Sequence, residues 1–237
     1  RLPFTFAEQE YVVRKVPIPG TPYVKYLFDG DIVVGDNMPK GMTHASNNKD
    51  HLWRGDIPVF FHKTVQDSGM CEVINKAIRD IETKSKVRFV VYSGEKDYIQ
   101  VRIGDPGGFF GGSSPVGRIG GMQELILSRG VRSNLVIHEL LHALGIWHEQ
   151  SRTDRDQFVK INYENISDDA KFNFNKVPGT IIGGYNYESV MHYFSTAFSK
   201  NRKPTIECIS NGKTVPCPSG MGSLEFTYGD INGVNTL

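Results

Sequence analysis

The sequence is organised around the stretch His138-Glu139-Leu140-Leu141-His142-Ala143-Leu144-Gly145-Ile146-Trp147-His148. On a helix, His138 and His142 lie one turn apart and project from the same face, where two imidazole nitrogens can reach one metal ion. Glu139 lies beside the first of these histidines. Its carboxylate is therefore better suited to hold a water at the metal than to complete the ligand set.

Gly145 explains how a third histidine can join the site. On a straight helix His148 would lie roughly 9 Å further along the axis than His142. A glycine can adopt φ > 0, end the helix and turn the chain back toward the metal. Three neutral imidazoles leave one coordination position open, which is typical of a catalytic zinc. The first two histidines alone would be a weak signal, but the glycine and His148 make a zinc site the preferred interpretation.

The composition is that of a globular chain with one sizeable domain or two small lobes. It has 237 residues, 39% of them hydrophobic, and no apolar run approaches the ~20 residues that span a bilayer. The net charge of +1 gives no basis for a nucleic-acid partner or an acidic surface. We therefore expect no nucleic-acid and no membrane partner. The first residue, Arg1, fits a chain whose export signal has been removed.

Three cysteines are too few for a disulfide framework. Cys208 and Cys217 bracket a segment that contains Asn211-Gly212, a hairpin-turn signal, so the two sulfurs could face each other across a short hairpin. A disulfide there indicates an oxidising compartment, and we expect a secreted protein. Cys71, near the start of an apparent helix, is expected to be a buried free thiol.

The remaining pattern predicts strands and helices in mixed order. We expect strands at 57–61, 87–92, 98–103 and 122–128, an amphipathic helix at 71–84, the metal-site helix from near Ser133, and a helix at 163–176. The glycine-rich stretch 107–114 lacks the ending of a phosphate-binding loop and is interpreted as a flexible surface loop above a cleft.

The first forty residues differ from the rest. Five residues, Pro3, Pro17, Pro19, Gly20 and Pro22, are expected to interrupt any long element. Asp29-Gly30 is typical of a tight turn leading into a short strand. Residues 37–50 are polar and rich in turn residues, and they are interpreted as a linker open to proteolysis.

Further motifs around the histidines give a family resemblance. Glu149 follows His148 directly within His148-Glu149-Gln150-Ser151-Arg152-Thr153-Asp154-Arg155-Asp156, and Ser189-Val190-Met191-His192-Tyr193 lies downstream. Together with Val116–Gln123, these motifs resemble those of the astacin family of metzincin zinc endopeptidases. The resemblance covers the chain from about residue 50 to its end.

The resemblance implies an α+β fold. We expect a two-lobed catalytic domain at residues 44–237, whose twisted, mainly parallel sheet has the zinc-binding helix over it. The N-lobe would extend to about residue 148, and an irregular C-lobe would begin at about 149. A short inhibitory propeptide would precede the domain at residues 1–43, with its boundary between 36 and 49. We call residues 1–43 the N-terminal segment.

The resemblance also implies roles for individual residues. His138, His142 and His148 would bind one Zn²⁺, and Glu139 would be the general base. Tyr193 would approach the zinc in the resting enzyme and bind the oxyanion during catalysis. Two further residues, Met191 in the turn beneath the metal and Glu149 as the receptor of the new N-terminal ammonium, complete this set.

Phe28-Asp29-Gly30-Asp31 resembles the motif of astacin propeptides whose last aspartate binds the zinc. Asp31 would then hold the enzyme latent until an activating protease removes the N-terminal segment. The substrate would be a protein or peptide, and we expect a monomer.

Some family features are missing, and two alternatives stay open. Gly112, Gly130 and Val87 stand where many family members have cysteines, so any disulfide between Cys208 and Cys217 would be local to this chain. One alternative is another metzincin with a different activation scheme. The other is a non-catalytic zinc-binding module that binds a partner, although a structural site has no need of Glu139.

Overall fold

Five strands form the sheet that supports the histidine motif. In the computed structural model these strands are β5 (Ile57–Phe61), β6 (Phe89–Val91), β7 (Tyr98–Ile103), β8 (Gly112–Ser113) and β9 (Met122–Leu127), in the order β6-β5-β7-β9-β8. All neighbours pair in parallel except β8, which is antiparallel to β9. The predicted mainly parallel sheet is confirmed.

The structure describes residues 2–6, 9–17, 24–34, 51–107, 110–177, 179–222 and 224–237. The predicted linker at 37–50 and the predicted boundary of the N-terminal segment, at residue 43 within 36–49, lie outside these ranges. Among the described residues, no helix has the length and apolar character needed to cross a bilayer.

Three helices pack on this sheet. They are α1 (Lys63–Ser68), α2 (Cys71–Lys84) and α3 (Ser133–Leu144). Helix α2 has the predicted bounds, and it buries Ile74, Ala77 and Ile81, which recur at helical spacing on one face. Cys71 at its start is a free thiol as expected, but it is only partly buried, so the prediction of a buried residue is wrong in that respect.

Helix α3 is the central helix of the domain, and every residue from Val136 to Leu144 is buried. It ends at Gly145, whose φ of 116° is in the left-handed region that favours glycine. The N–H of Gly145 donates to the carbonyl oxygens of Leu141 at 3.1 Å and His142 at 2.8 Å. This termination turns the chain as the sequence predicted.

The C-terminal lobe contains a second, antiparallel sheet and a terminal helix. Its strands are β10 (Val159–Ile161), β11 (Ile206–Ser210) and β12 (Lys213–Val215), and helix α4 spans Tyr228–Thr236. Asn211 (φ 49°) and Gly212 (φ 72°) form the predicted hairpin turn. Cys208 and Cys217 are joined by a disulfide with their Cα atoms 5.1 Å apart.

The prediction of a helix at 163–176 is wrong. The chain instead forms short 3-10 segments at Tyr163–Asn165 and Lys171–Phe174. Between them Ile166 forms a bridge with Ser199, and the N–H of Ser167 donates to the carbonyl oxygen of Phe198 at 3.0 Å. These long-range contacts hold the chain in an extended conformation at Ile166. A helix therefore cannot continue through this residue. The expected inward side chains, Ile166, Ala170 and Phe174, are nevertheless buried.

The N-terminal segment forms a four-stranded antiparallel meander. Its strands are β1 (Leu2–Phe6), β2 (Gln9–Pro17), β3 (Val24–Phe28) and β4 (Ile32–Val34). The expectation that prolines exclude a long element is wrong for β2, which has nine residues and ends at Pro17. Pro3 lies in the edge strand β1, where its missing N–H costs little. The turn between β3 and β4 is the predicted tight turn.

The N-terminal segment pairs with the rest of the chain at Ser114, next to strand β8. The N–H of Ser114 donates to the carbonyl oxygen of Asp31 at 3.1 Å, and the N–H of Val33 donates to that of Ser114 at 3.0 Å. The loop predicted at 107–114 therefore ends in buried, strand-paired residues, so its interpretation as a flexible surface loop is wrong for Gly112–Ser114.

Candidate metal centre and active site

Three imidazole rings converge at the C-terminal half of α3. His138 and His142 project from the helix, and the turn at Gly145 brings His148 back to them. The ring centroids of His142 lie 4.7 Å from those of both other histidines. All three side chains are at least 94% buried, so this cluster is closed to bulk water.

The hydrogen bonds of these rings fix which nitrogen faces the centre. Nδ1 of His138 donates to the carbonyl oxygen of Val190 at 2.8 Å, and Nδ1 of His142 donates to that of Ile146 at 2.7 Å. Nδ1 of His148 donates to Oδ2 of Asp29 at 2.9 Å. Each Nε2 therefore faces the common centre, where it can bind a metal ion once it carries no proton, as in metal sites.

Asp31 completes the cluster. Its Oδ2 lies 3.4 Å from Nε2 of His138, and its Oδ1 lies 3.6 Å and 3.5 Å from Nε2 of His142 and His148. A tetrahedral zinc with ~2.05 Å bonds separates its ligands by about 3.3 Å. Neither oxygen of this fully buried carboxylate accepts a hydrogen bond within the described part of the chain. Three imidazoles and one carboxylate thus fit one zinc ion.

The electrostatics of the cluster also favour a bound cation. Burial alone would raise the pKa of Asp31, but the charge of His148 and the proximity of the three imidazoles hold it well below its ordinary value. Burial alone would lower the pKa of His148, but Asp31 and Asp29 raise it to about 10. Burial lowers the pKa of His142 to about 4. The two buried carboxylates therefore favour positive charge at the centre of the cluster.

Asp29 was predicted only as a turn residue, and the structure brings it to the centre. Besides His148, its Oδ2 accepts a hydrogen bond from Oγ of Ser151 at 2.7 Å. Its backbone carbonyl oxygen accepts one from the hydroxyl of Tyr193 at 2.7 Å. Nothing local in the sequence indicated these contacts, because Asp29 and Ser151 are 122 residues apart.

Glu139 lies beside the three histidines and faces strand β8. Its side chain is fully buried and occupies the space that a side chain at Gly112 would need, because a Cβ at residue 112 would overlap Oε1 of Glu139. Gly112 does not adopt positive φ, so a glycine is not needed there for its backbone conformation. It is needed because it has no side chain and leaves room for Glu139. The glycine at a family cysteine position thus has a local packing role.

Met191 lies in a buried turn next to the histidines. Ser189 begins the turn, and its Oγ accepts from the N–H of Met191 at 2.9 Å and donates to Asp230. The N–H of Val190 donates to Oδ2 of Asp230 at 3.3 Å. Helix α4 therefore fixes the turn whose Val190 carbonyl orients His138.

Tyr193 lies between His148 and a group of aromatic rings. Its ring centroid is 4.8 Å from that of His148, and Phe110, Phe174 and Phe198 surround its other sides. Burial raises the pKa of its hydroxyl well above the ordinary value, so the group is a neutral donor. In this structure that hydroxyl is bound to Asp29 rather than directed at a substrate.

Glu149 lines a cavity of about 250 Å³, and His148 lines it too. Burial raises its pKa to about 7, against the charge of Arg152, whose Nη1 donates to Oε1 at 2.9 Å. The N–H of Asn186 donates to the same oxygen at 2.8 Å. Asp230, Asn232 and Gly233 also line the cavity. It is thus an acidic cavity next to the third histidine.

Comparison with known proteins gives consistent matches over most of the chain. The model of one peptidase family, Astacin, matches residues 45–237. The chain is 36% identical over 221 residues to zinc metalloproteinase nas-6 of Caenorhabditis elegans, covering 89% of this chain and 62% of that protein. It is 42% identical over 170 residues to the low choriolytic enzyme of Oryzias latipes, covering 70% of this chain and 59% of that protein. The chain thus spans less than two thirds of the length of these relatives.

Solved structures give the same result. The structure of high choriolytic enzyme 1, a hatching enzyme zinc-protease from Oryzias latipes, matches with a TM-score of 0.70 and 35% sequence identity. The match covers 79% of this chain and 94% of that one. Myroilysin matches with a TM-score of 0.55 at 15% identity, which is a likeness of fold alone.

Proposed function

Because this chain belongs to the astacin family of zinc-dependent metalloendopeptidases, we propose that it hydrolyses peptide bonds in proteins or peptides and is latent while Asp31 is in place. The observation that supports this most directly is the convergence of three Nε2 atoms and a fully buried carboxylate on one point. His138, His142 and His148 would hold the zinc, and Asp31 would take the fourth position.

Glu139 is the proposed general base. When bound, zinc acts as a Lewis acid that lowers the pKa of water at the site toward ~7 and polarises the scissile carbonyl. Glu139 takes a proton from the attacking water as its oxygen bonds to the carbonyl carbon. As the C–N bond breaks, Glu139 gives that proton to the leaving nitrogen, and the second proton of the water stays on the new carboxyl group, so the products are a carboxylic acid and an amine.

Tyr193 is the proposed donor to the oxyanion. Its hydroxyl is already neutral and buried next to His148, so it needs only to be released from Asp29 to donate to a developing negative charge. Met191 packs beneath the site without acting as a ligand, and its apolar thioether excludes water there.

Latency follows from what occupies the cleft. Asp31 takes the coordination position that catalysis needs, Asp29 holds Tyr193, and β4 bonds to Ser114 next to strand β8. An activating protease would cut between residues 36 and 49. In the activated form the new N-terminal ammonium would enter the cavity beside Glu149, where it would add a second cation to that of Arg152.

A peptidase assay tests the activity. Protein treated with trypsin is expected to cleave a fluorogenic peptide, to lose this activity with a zinc chelator and to regain it with Zn²⁺. Glu139→Gln should keep stoichiometric zinc but lose at least ~10²-fold in kcat. The matched control Glu124→Gln, at a partly exposed glutamate on β9, should remain active. Unchanged hydrolysis by Glu139→Gln would refute the general-base role.

A second assay tests latency. The Asp31→Ala protein with an intact N-terminal segment should cleave the peptide without trypsin, whereas the wild type should not. Mass spectrometry of the intact chain would exclude cleavage during purification. An uncut Asp31→Ala protein that stays as inactive as the wild type would refute the role of Asp31 as the latency switch and would favour another activation scheme.

The non-catalytic alternative makes the opposite prediction. A zinc-binding module that only binds a partner would retain zinc after trypsin treatment and show no hydrolysis. The disulfide between Cys208 and Cys217 supports our proposal that the protein is secreted. We further propose that it acts as a monomer on protein or peptide substrates.

A further inference from the structure

Asp29 contacts the metal centre without facing the metal. Its fully buried carboxylate accepts hydrogen bonds from His148 at 2.9 Å and Ser151 at 2.7 Å. The turn explains how it reaches them, because Asp29 (φ 51°) and Gly30 (φ 89°) are both left-handed. This tight turn brings two carboxylates, at positions 29 and 31, to the same group of histidines.

The three histidines differ in what holds their outer nitrogen. His138 and His142 donate to backbone carbonyls of Val190 and Ile146, both within the catalytic domain. His148 donates instead to a carboxylate of the N-terminal segment. A charged acceptor fixes the ring and increases its basicity more than a carbonyl does. His148, one of the three proposed ligands, is therefore oriented by a carboxylate that is lost when the N-terminal segment is removed.

We infer that Asp29 is a positioning residue for the zinc, which through His148 slows release of the metal for as long as the N-terminal segment is in place. The inference rests on the proposed function, because it takes His138, His142, His148 and Asp31 as the ligands of the latent form. Asp31 adds a bond to the metal, whereas Asp29 strengthens a bond that His148 already makes. Activation would remove both effects together, and the activated enzyme would lose zinc more readily than the latent form.

The expected size of the effect follows from known outer partners of metal-bound histidines, whose loss typically costs 10–100-fold in metal affinity. We expect Asp29→Ala to speed zinc release from the latent form by roughly this factor. Asp29→Asn retains an oxygen that can accept from His148 but lacks the charge, so its effect should be smaller. It also keeps the size of the side chain, so it tests the inference even if the alanine variant folds poorly.

The experiment measures release of Zn²⁺ from the uncut protein into an excess of a chromogenic pyridylazo chelator, followed by absorbance. The wild type is compared with Asp29→Ala, Asp29→Asn and the control Lys15→Ala, an exposed position of β2 in the same segment. The control should match the wild type. Circular dichroism and the mass of the intact chain would verify folding and retention of the segment.

Two further readouts separate positioning from a general loss of structure. With Co²⁺ in place of zinc, the visible absorption bands should shift in both Asp29 variants, because the imidazole at the metal changes its basicity and orientation. After trypsin removes the segment, wild type and variants are the same protein, so their zinc release and kcat/KM should agree. A difference that persisted after removal would overturn the inference, because residue 29 would then be absent.

The failure of this inference can be distinguished from failure of the proposed function. If the uncut wild type binds no zinc, both are overturned. If it binds zinc and both Asp29 variants release the metal within twofold of the wild-type rate, only the role of Asp29 is overturned.

Discussion

His138 donates its Nδ1–H to the carbonyl oxygen of Val190 at 2.8 Å, and this bond ties the first histidine of α3 to the turn that contains Met191. The turn is fixed in its own right by Asp230 at the start of α4, through Ser189 and the N–H of Val190. The orientation of a proposed metal ligand thus depends on a residue 92 positions later in the chain.

Asp230→Ala is expected to destabilise the protein and loosen the metal. It removes the capping box that Asp230 forms with Thr227 and leaves buried donors of the turn without a partner. A loss of about 3 kcal/mol would lower Tm by roughly 6–12 °C in a chain of this size. Calorimetry of the zinc-loaded protein measures this. Tyr228→Ala, at an 83% exposed residue of the same helix, is the control. A stable variant with wild-type zinc release would contradict the role of Asp230.

Tyr193→Phe tests the oxyanion donor. In trypsin-treated enzyme we expect kcat to fall about 10²-fold with little change in KM, because the hydroxyl would act only on charge that develops in the transition state. Zinc content should be unchanged. Tyr187→Phe removes another hydroxyl of the C-lobe, one that donates to the carbonyl oxygen of Phe158, and should leave kcat unaffected. An equal fall in both variants would point to a structural effect.

Glu149 predicts a pH dependence of stability. Its pKa of about 7 in the folded protein lies above the ordinary 4.5, so between these values the folded protein holds a proton that the unfolded chain has released. The contribution of Glu149 to the free energy of unfolding therefore falls as pH rises from 4.5 to 7, and it remains low above pH 7.

Glu149→Gln imitates the protonated carboxyl and should remove this dependence. Its Tm should match that of the uncut wild type near pH 4.5 and exceed it at pH 8, where its free energy of unfolding should be higher by about 3 kcal/mol. The control Glu188→Gln, at an exposed position nearby, should follow the wild type throughout. Parallel Tm curves for wild type and Glu149→Gln would show that Glu149 is ionised at all these pH values.

Removal of the disulfide is expected to lower the stability of the protein. Cys208 and Cys217 are nine positions apart, and a closed loop of this size contributes about 2–3 kcal/mol by restricting the unfolded chain. Replacing both cysteines with alanine should lower Tm by roughly 4–12 °C. A reducing agent should lower the Tm of the wild type similarly and leave the double variant unchanged. If reduction leaves the wild-type Tm unaltered, the bond contributes no stability.

The sequence predicted best those features that depend on neighbouring residues. Helix α2 and strands β5 and β7 have their predicted bounds, because each has a local apolar period and a clear start and end. The turn at Gly145 was also predictable, because it depends only on the backbone conformation of that glycine. The helix expected at 163–176 has the right buried side chains, but Ile166 and Ser167 pair with Phe198 and Ser199, and no local pattern predicts that pairing.

The same distinction between local and long-range features applies to the residues of the site. His138, His142, His148 and Asp31 were predicted from spacing and resemblance, and the structure brings them together. Asp29 was missed because its partners lie 119 to 164 residues further along the chain. Their meeting depends on how the N-terminal segment crosses the cleft, which is a property of packing between distant parts of the chain.

His148 belongs both to the proposed metal centre and to the lining of the acidic cavity, which the next residue, Glu149, lines as well. The N–H of Glu149 also donates to the carbonyl oxygen of Met191 at 2.9 Å, which joins the cavity to the buried turn next to the histidines. Binding at two such sites is thermodynamically reciprocal. If an ammonium ion in the cavity tightens the hold on zinc by some factor, zinc tightens the hold on that ammonium by the same factor. The metal would then help to keep the new N-terminus in place.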